Sequence, residues 1–202
     1  MRFKEETGCE ITVMENMELN DYIINARNFA QEGYDLIILT DAAVSEMVEE
    51  LAPEYPETHF MIAGGSLTDL DNVSNIIFAQ NEMTFLAGAF SVLMNQELGG
   101  SAKAGMVVGI RGPALERATY GFTAGSKYVG GDSSLVYVGN FTDVAKGKEI
   151  AMQLYQDDIK IVLAFAGGAG IGVFQAAESM PEGYYAMGAD DGQFHLSDRI
   201  IA

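Results

Sequence analysis

Four glycines fall within six residues in Gly167-Gly-Ala-Gly-Ile-Gly172, between the apolar run Ile159–Ala164 and a helical pattern that continues to Ala177. A glycine turn at such a junction lets another group lie against the backbone, because no Cβ stands in the way. That group is a dinucleotide pyrophosphate, a different small molecule, or a neighbouring stretch of chain. A dinucleotide asks for G-x-G-x-x-G or A, with an acid about 20 residues further on for the ribose. Asp190 stands at that distance from Gly170, but Gly168-Ala-Gly-Ile-Gly172 reads G-x-G-x-G and Val173 takes the sixth position. The turn also comes late in the chain, whereas the fingerprint belongs to the first strand of its sheet. An NAD(P)-dependent oxidoreductase built on residues 167–172 is therefore the weaker alternative. Close packing of the helix on its own strand explains the glycines as simply.

Three more strand ends carry hydrogen-bonding side chains. Thr40 and Asp41 follow the run ending at Leu39, Gln80-Asn81-Glu82 follows Ile76–Phe78, and Asp190-Asp191-Gly192-Gln193 follows Tyr184–Met187. Phe165 and Phe174 flank the glycines. Taken singly each polar residue suits a helix cap, Thr40 and Asp41 above all. Together at carboxyl ends they favour a small, uncharged, polyhydroxylated or aromatic ligand. The candidate contacts are Thr40, Asp41, Glu82, Phe165, Gly167, Gly168, Gly170, Asp190 and Gln193. No nucleophile–base pair or carboxylate dyad stands at a strand end, so the sequence offers no catalytic residue and implies no cofactor. His59, His195 and the single Cys9 are too few for a His- or Cys-based metal site. Arg2, Arg27, Arg111, Arg117 and Arg199 are scattered, which argues against a phosphate-bearing ligand.

The elements that must position these residues alternate along the chain. Apolar, β-branched runs at Glu10–Met14, Asp35–Leu39, His59–Ala63, Asn75–Ala79, Ala104–Ile110, Leu135–Val138, Ile159–Ala164 and Tyr184–Met187 read as strands covered on both faces. A last one begins at Arg199–Ile201. Between them Val44, Met47, Val48 and Leu51 form one helical stripe, and Phe85, Leu86, Ala89, Phe90 and Leu93 another. Thr142-Asp-Val-Ala-Lys predicts a capped helix start, and Asp21–Gln31 a further helix. Strand–helix alternation is the α/β signature of mostly parallel sheets. With a break at Leu98-Gly-Gly-Ser-Ala102, the expectation is two doubly wound lobes, 1–100 and 101–202, with one ligand between their facing strand ends.

Composition narrows the function. The 202 residues include 29 acidic and 11 basic ones, a net charge of −18. Such a surface repels nucleic acid and anionic lipid. No apolar run has the length to span a bilayer. Cys9 follows Lys4-Glu-Glu-Thr-Gly8 without an apolar stretch, so it does not read as a lipid-modified export signal.

Six ordered strings carry a family resemblance: Gly33-Tyr-Asp-Leu-Ile, Glu82-Met-Thr-Phe-Leu-Ala-Gly88, Gly121-Phe-Thr-Ala-Gly125, Asn140-Phe-Thr-Asp-Val-Ala-Lys-Gly-Lys148, Ala166-Gly-Gly-Ala-Gly-Ile-Gly-Val173 and Gly188-Ala-Asp-Asp-Gly-Gln193. Essentially the whole chain resembles the basic-membrane-protein type of substrate-binding lipoproteins of ABC transporters, which includes purine nucleoside receptors. The resemblance implies a type I periplasmic-binding-protein fold that captures a nucleoside for import, with no enzymatic activity. It implies aromatic rings around the base, Asp190 and Gln193 in the segment that binds the ribose hydroxyls, and the glycine turn with Phe165 lining the cleft. It also implies an extracytoplasmic, lipid-anchored protein working with a transporter permease. A ligand-sensing regulatory domain on the same fold is the other alternative, and no DNA-binding segment accompanies it here.

The sequence departs from that family pattern at both ends. It shows no export signal or lipobox cysteine, and it stops at Arg199-Ile-Ile-Ala202. The expectation is the middle of such a protein, its first lobe lacking the first strand and its second lobe the last elements. Glu10–Met14 would then lack an inner partner. It either slides beside Asp35–Leu39 or the gap is filled by a second copy, and a homodimer through the incomplete sheet is the favoured outcome.

Overall fold

The computed structural model describes residues 2–15, 19–40, 42–65, 67–190 and 192–201. The chain divides into two compact units, Met1–Phe78 and Ala79–Ala202. The division falls earlier than the glycine pair at 99–100. The helix read as the end of the first lobe packs in the second unit instead.

The first unit contains helix α1 (Arg2–Thr7), helix α2 (Leu19–Gln31), strand β1 (Leu36–Leu39), helix α3 (Ser45–Leu51), strand β2 (His59–Ala63) and strand β3 (Val73–Ile76). The strands form one parallel sheet in the order β1-β2-β3, with Leu36 opposite His59 and Phe60 opposite Val73. Side chains alternate across it, as the two-residue period of a strand requires. Ile37, Leu39, Phe60 and Ile62 join Ala26 and Ala30 of α2 and Val48 and Leu51 of α3 in one buried cluster. On the opposite face Leu36, Ile38 and Ile76 are exposed. Asn72 secures the turn before β3. Its amide nitrogen donates to the carbonyls of Ala52, Tyr55 and Thr58 at 2.9, 3.0 and 3.0 Å.

Glu10–Met14 is not a strand. The segment is irregular, Val13 and Met14 are exposed, and the Thr12 hydroxyl meets that of Tyr34 at 2.6 Å. A strand exists only through its ladder partners, and this segment pairs with none: β1 is the terminal strand of the order β1-β2-β3, and Glu10–Met14 does not join its free edge. The sliding arrangement is therefore absent.

The second unit contains helix α4 (Gln80–Glu97), strand β4 (Lys103–Val108), helix α5 (Pro113–Tyr128), strand β5 (Asp132–Tyr137), helix α6 (Val144–Gln156), strand β6 (Ile161–Phe165), helix α7 (Ile171–Ser179) and strand β7 (Tyr185–Met187). Its sheet is parallel throughout, in the order β5-β4-β6-β7. The final apolar run reaches the sheet only as a single bridge from Ile200 to Ala186. Ala104, Met106 and Val108 of β4 pack with Ala87 and Val92 of α4 and with Phe122 of α5. Val107, pointing the other way, packs with Ile150 of α6 and Val173 of α7. The sheet is thus covered on both faces, which explains the continuous apolar runs in its strands.

Glycine sets how close these helices come. A Cβ on Gly125 of α5 would strike the Phe85 carbonyl of α4, and one on Gly88 the Phe122 carbonyl. On the other face a Cβ on Gly172 of α7 would strike the Val144 carbonyl of α6. Asn95, buried at the far end of α4, ties the unit together. It donates to the carbonyls of Ser101, Lys103 and Asp158 and accepts from Lys160 N–H at 2.7 Å.

Candidate functional site

Because β4–β7 are parallel, their carboxyl ends share one edge of the second unit. From there the chain leaves as Gly109-Ile-Arg111, Val138-Gly-Asn-Phe141, Ala166–Gly170 and Gly188–Gln193.

Phe141 is the residue most firmly placed there. Asn140 Oδ1 accepts from Thr142 N–H at 2.9 Å and Asp143 N–H at 2.7 Å, and Asp143 Oδ1 caps α6 by accepting from Lys146 N–H at 2.9 Å. This pair of Asx turns directs Phe141 back over the sheet. Its carbonyl accepts from Ala169 N–H at 2.8 Å, and its ring lies where any Cβ on Gly109 would have to be. The residue remains 41% exposed. Gly167, at φ +53°, and Gly168 lie beside it. Arg111 stacks its guanidinium 4.1 Å above the Tyr137 ring, an attraction between cation and π face.

The β7 end is a folded turn. Gln193 Oε1 accepts from Ala189 N–H at 2.9 Å and Asp190 N–H at 3.2 Å, while its amide nitrogen lies 3.5 Å from Asp190 Oδ2. Gly192 holds φ +75°, and the His195 ring meets its carbonyl through Nδ1. Asp190 is exposed. Beneath this edge, α6 supports β7 through Tyr155, whose hydroxyl donates to the Tyr185 carbonyl at 3.0 Å. Burial pushes that hydroxyl well above the usual tyrosine range.

The predicted site residues separate into groups. Gly167, Gly168, Asp190 and Gln193 lie at the strand-end edge. Phe165, the last residue of β6, is half-buried against the α4–α5 side of the core, and Gly170 is buried against Ala164. Phe174 is core. Glu82 lies in the first turn of α4, in an open groove of about 340 Å³ lined also by Phe85, Leu86 and Tyr120. Thr40 is exposed at the end of β1 in the first unit, and Asp41 lies outside the described residues. Gly172 answers to the neighbouring helix, so part of the glycine turn serves packing alone. The sequence reading passed over Phe141, Arg111 and Tyr137. An aromatic directly after a strand and inside an Asx turn is the signal that marks Phe141. Among the described residues no cluster of His, Cys, Asp or Glu could hold a metal ion.

Two α/β units, each built on a parallel sheet, define a class, and the solved structures bear the class out. A solute-binding protein of an ABC transporter system from Aeropyrum pernix K1 superposes with a TM-score of 0.88 at 26% identity, over 99% of this chain and 58% of that one. A transcriptional activator of the comK gene from Bacillus halodurans has the same fold, with a TM-score of 0.78 at 21% identity, over 98% of this chain and 68% of its own. This is the type I periplasmic-binding-protein fold.

Residues 1–202 match the family of PnrA-like ABC transporter substrate-binding proteins, and the chain belongs to that family. Basic membrane protein D of Borreliella burgdorferi (strain JD1) is 32% identical over 204 residues, 98% of this chain and 59% of that protein. The ABC transporter nucleoside-binding protein BmpA of Lactococcus lactis subsp. cremoris (strain MG1363) is 29% identical over 197 residues, 94% of this chain and 55% of that protein. The chain thus spans somewhat over half the length of these relatives. Family membership sets aside the oxidoreductase alternative, since these are binding proteins and not enzymes. Among the described residues no helix is long and apolar enough to cross a membrane.

Proposed function

We propose that the chain forms the solute-binding body of an ABC import system and takes a purine nucleoside. The observation that carries this reading is Asp190, an exposed carboxylate on the turn after β7, at the same strand-end edge as the glycine turn after the neighbouring β6 and the Phe141 ring over the end of β4. A carboxylate accepts from two vicinal hydroxyls at once, and such charge-assisted bonds are about twice as strong as neutral ones. A nucleobase stacks on an aromatic face whatever its ring edge carries. The Lactococcus lactis relative is described as nucleoside-binding, which fits the same chemistry. The net charge of −18 favours a neutral nucleoside over a nucleotide. In this reading the protein works outside the cytoplasm, held by a lipid anchor, and passes its ligand to a permease.

The test is calorimetric titration of the chain with adenosine, guanosine, ribose, adenine and NAD. Nucleosides should bind more tightly than either fragment or NAD. Replacing Asp190 with alanine should weaken nucleoside binding by about 1.5–3 kcal/mol, the scale of a hydrogen bond to a charged group. Equal affinity for adenine and adenosine would remove the ribose from the site.

A further inference from the structure

We infer that Gln193 is a positioning residue: it does not touch the ligand but fixes the backbone that presents Asp190. The inference rests on the nucleoside reading for its ligand arm and stands on geometry for the rest.

Gln193 was expected to be a ligand contact, but its acceptor is already used. Oε1 takes both the Ala189 N–H, at 2.9 Å, and the Asp190 N–H, at 3.2 Å. A carbonyl oxygen has two lone pairs, so these two donors fill it. The side chain folds inward over Gly188, where a Cβ would collide with Oε1 itself. The fold-back also needs the left-handed residue at Gly192, with φ +75°, a conformation that side chains disfavour. Two glycines and one amide thus hold the backbone at residues 189 and 190, from which the Asp190 carboxylate projects. What remains of the amide is its nitrogen, 3.5 Å from Asp190 Oδ2 and on the side away from the backbone donors. Without the amide, residues 189 and 190 lose two hydrogen bonds, and the carboxylate loses the frame that aims it. Glutamine at 193 and glycine at 188 therefore form one device.

Two measurements test this. In the free protein, Gln193→Ala should abolish the slowed hydrogen exchange of the Ala189 and Asp190 amides and leave the core strands protected. Unchanged protection at both amides overturns the inference whether or not any ligand binds. In titrations, Gln193→Ala should weaken adenosine about tenfold, the scale of two ordinary hydrogen bonds, and leave 2′,3′-dideoxyadenosine unchanged. A merely structural role would lower both. In the Asp190→Ala background the Gln193→Ala change should cost nothing more, because residues acting through one another are not additive. Additive losses would make Gln193 a direct contact and overturn the inference. If Asp190→Ala alone leaves adenosine binding intact, the ribose reading fails, and the exchange result then decides the positioning role by itself. Gly188→Ala should reproduce the exchange phenotype of Gln193→Ala with Gln193 still present.

Discussion

Glu54 and Arg27 show what one exposed pair contributes. Arg27 donates from Nη1 to Oε2 at 2.5 Å and from Nη2 to Oε1 at 3.0 Å, clamping α2 to the turn that follows α3. The two bonds hold the Glu54 carboxyl below its ordinary value of 4.5. The unfolded chain therefore takes up this proton more readily than the folded one, and acid favours unfolding. The contribution is complete above pH 4.5 and fades as the pH falls through the lower folded value. Thermal unfolding of wild type and Glu54→Gln should differ modestly at pH 7, as exposed pairs do, and the difference should shrink steadily as the pH is lowered below 4.5. At Phe141 the expected effect is on binding. Phe141→Ala should cost about 1–3 kcal/mol of nucleoside affinity, the value of one stacked base, with equal effect on the 2′,3′-dideoxy compound because stacking does not involve the ribose. Titration of both ligands checks it.

At the scale of elements, helix spacing is set where glycine removes a side chain. An alanine in a helix is ordinarily better than glycine by about 0.5–1 kcal/mol. Gly125→Ala should do the opposite and destabilise the second unit by about 1–3 kcal/mol, since its methyl meets the Phe85 carbonyl. Denaturant midpoints read the sign directly, and a gain in stability would reject the close crossing. These crossings also show what the sequence could reveal. Strands β4–β7 were legible because a parallel sheet buried on two faces writes a continuous apolar run, and β1 and β2 carry the same kind of run although one face of their sheet is exposed. Glu10–Met14 reads as an apolar, β-branched run and forms no strand, because its run is broken by Glu10 and Thr12 and it pairs with no neighbour. The unit boundary was misplaced for a similar reason: Gly99-Gly100 looks like a linker, but it is a turn tied to Asn95 within one unit. For the proposed site, Asp190, Gly167 and Gly168 were legible as standing at strand ends. Phe141 was not, because its role comes from Gly109, distant in sequence and meaningful only once β4 and β5 are neighbours.

At the scale of the whole chain, the first unit leaves one sheet face bare. Ile38 is 55% exposed and Leu36 44%, although parallel sheets are ordinarily covered on both faces. We expect a second copy to cover this face. Light scattering over a dilution series should then give a mass above the monomer. The net charge of −18 should make association stronger at 0.5 M salt than at low salt. Ile38→Lys should restore the monomer, and a monomer at every concentration and salt rejects the expectation. The strand orders have a further consequence, for the moment of synthesis. In the first unit neighbouring strands follow one another along the chain, so each finds its partner as soon as it leaves the ribosome. In the second, β4 is made first and sits between β5 and β6, so one flank waits until residues 161–165 emerge, a delay on the order of several seconds at ordinary elongation rates. A nascent-chain pause placed just before β6 would therefore hold a finished first unit beside a second whose central strand still lacks its neighbour.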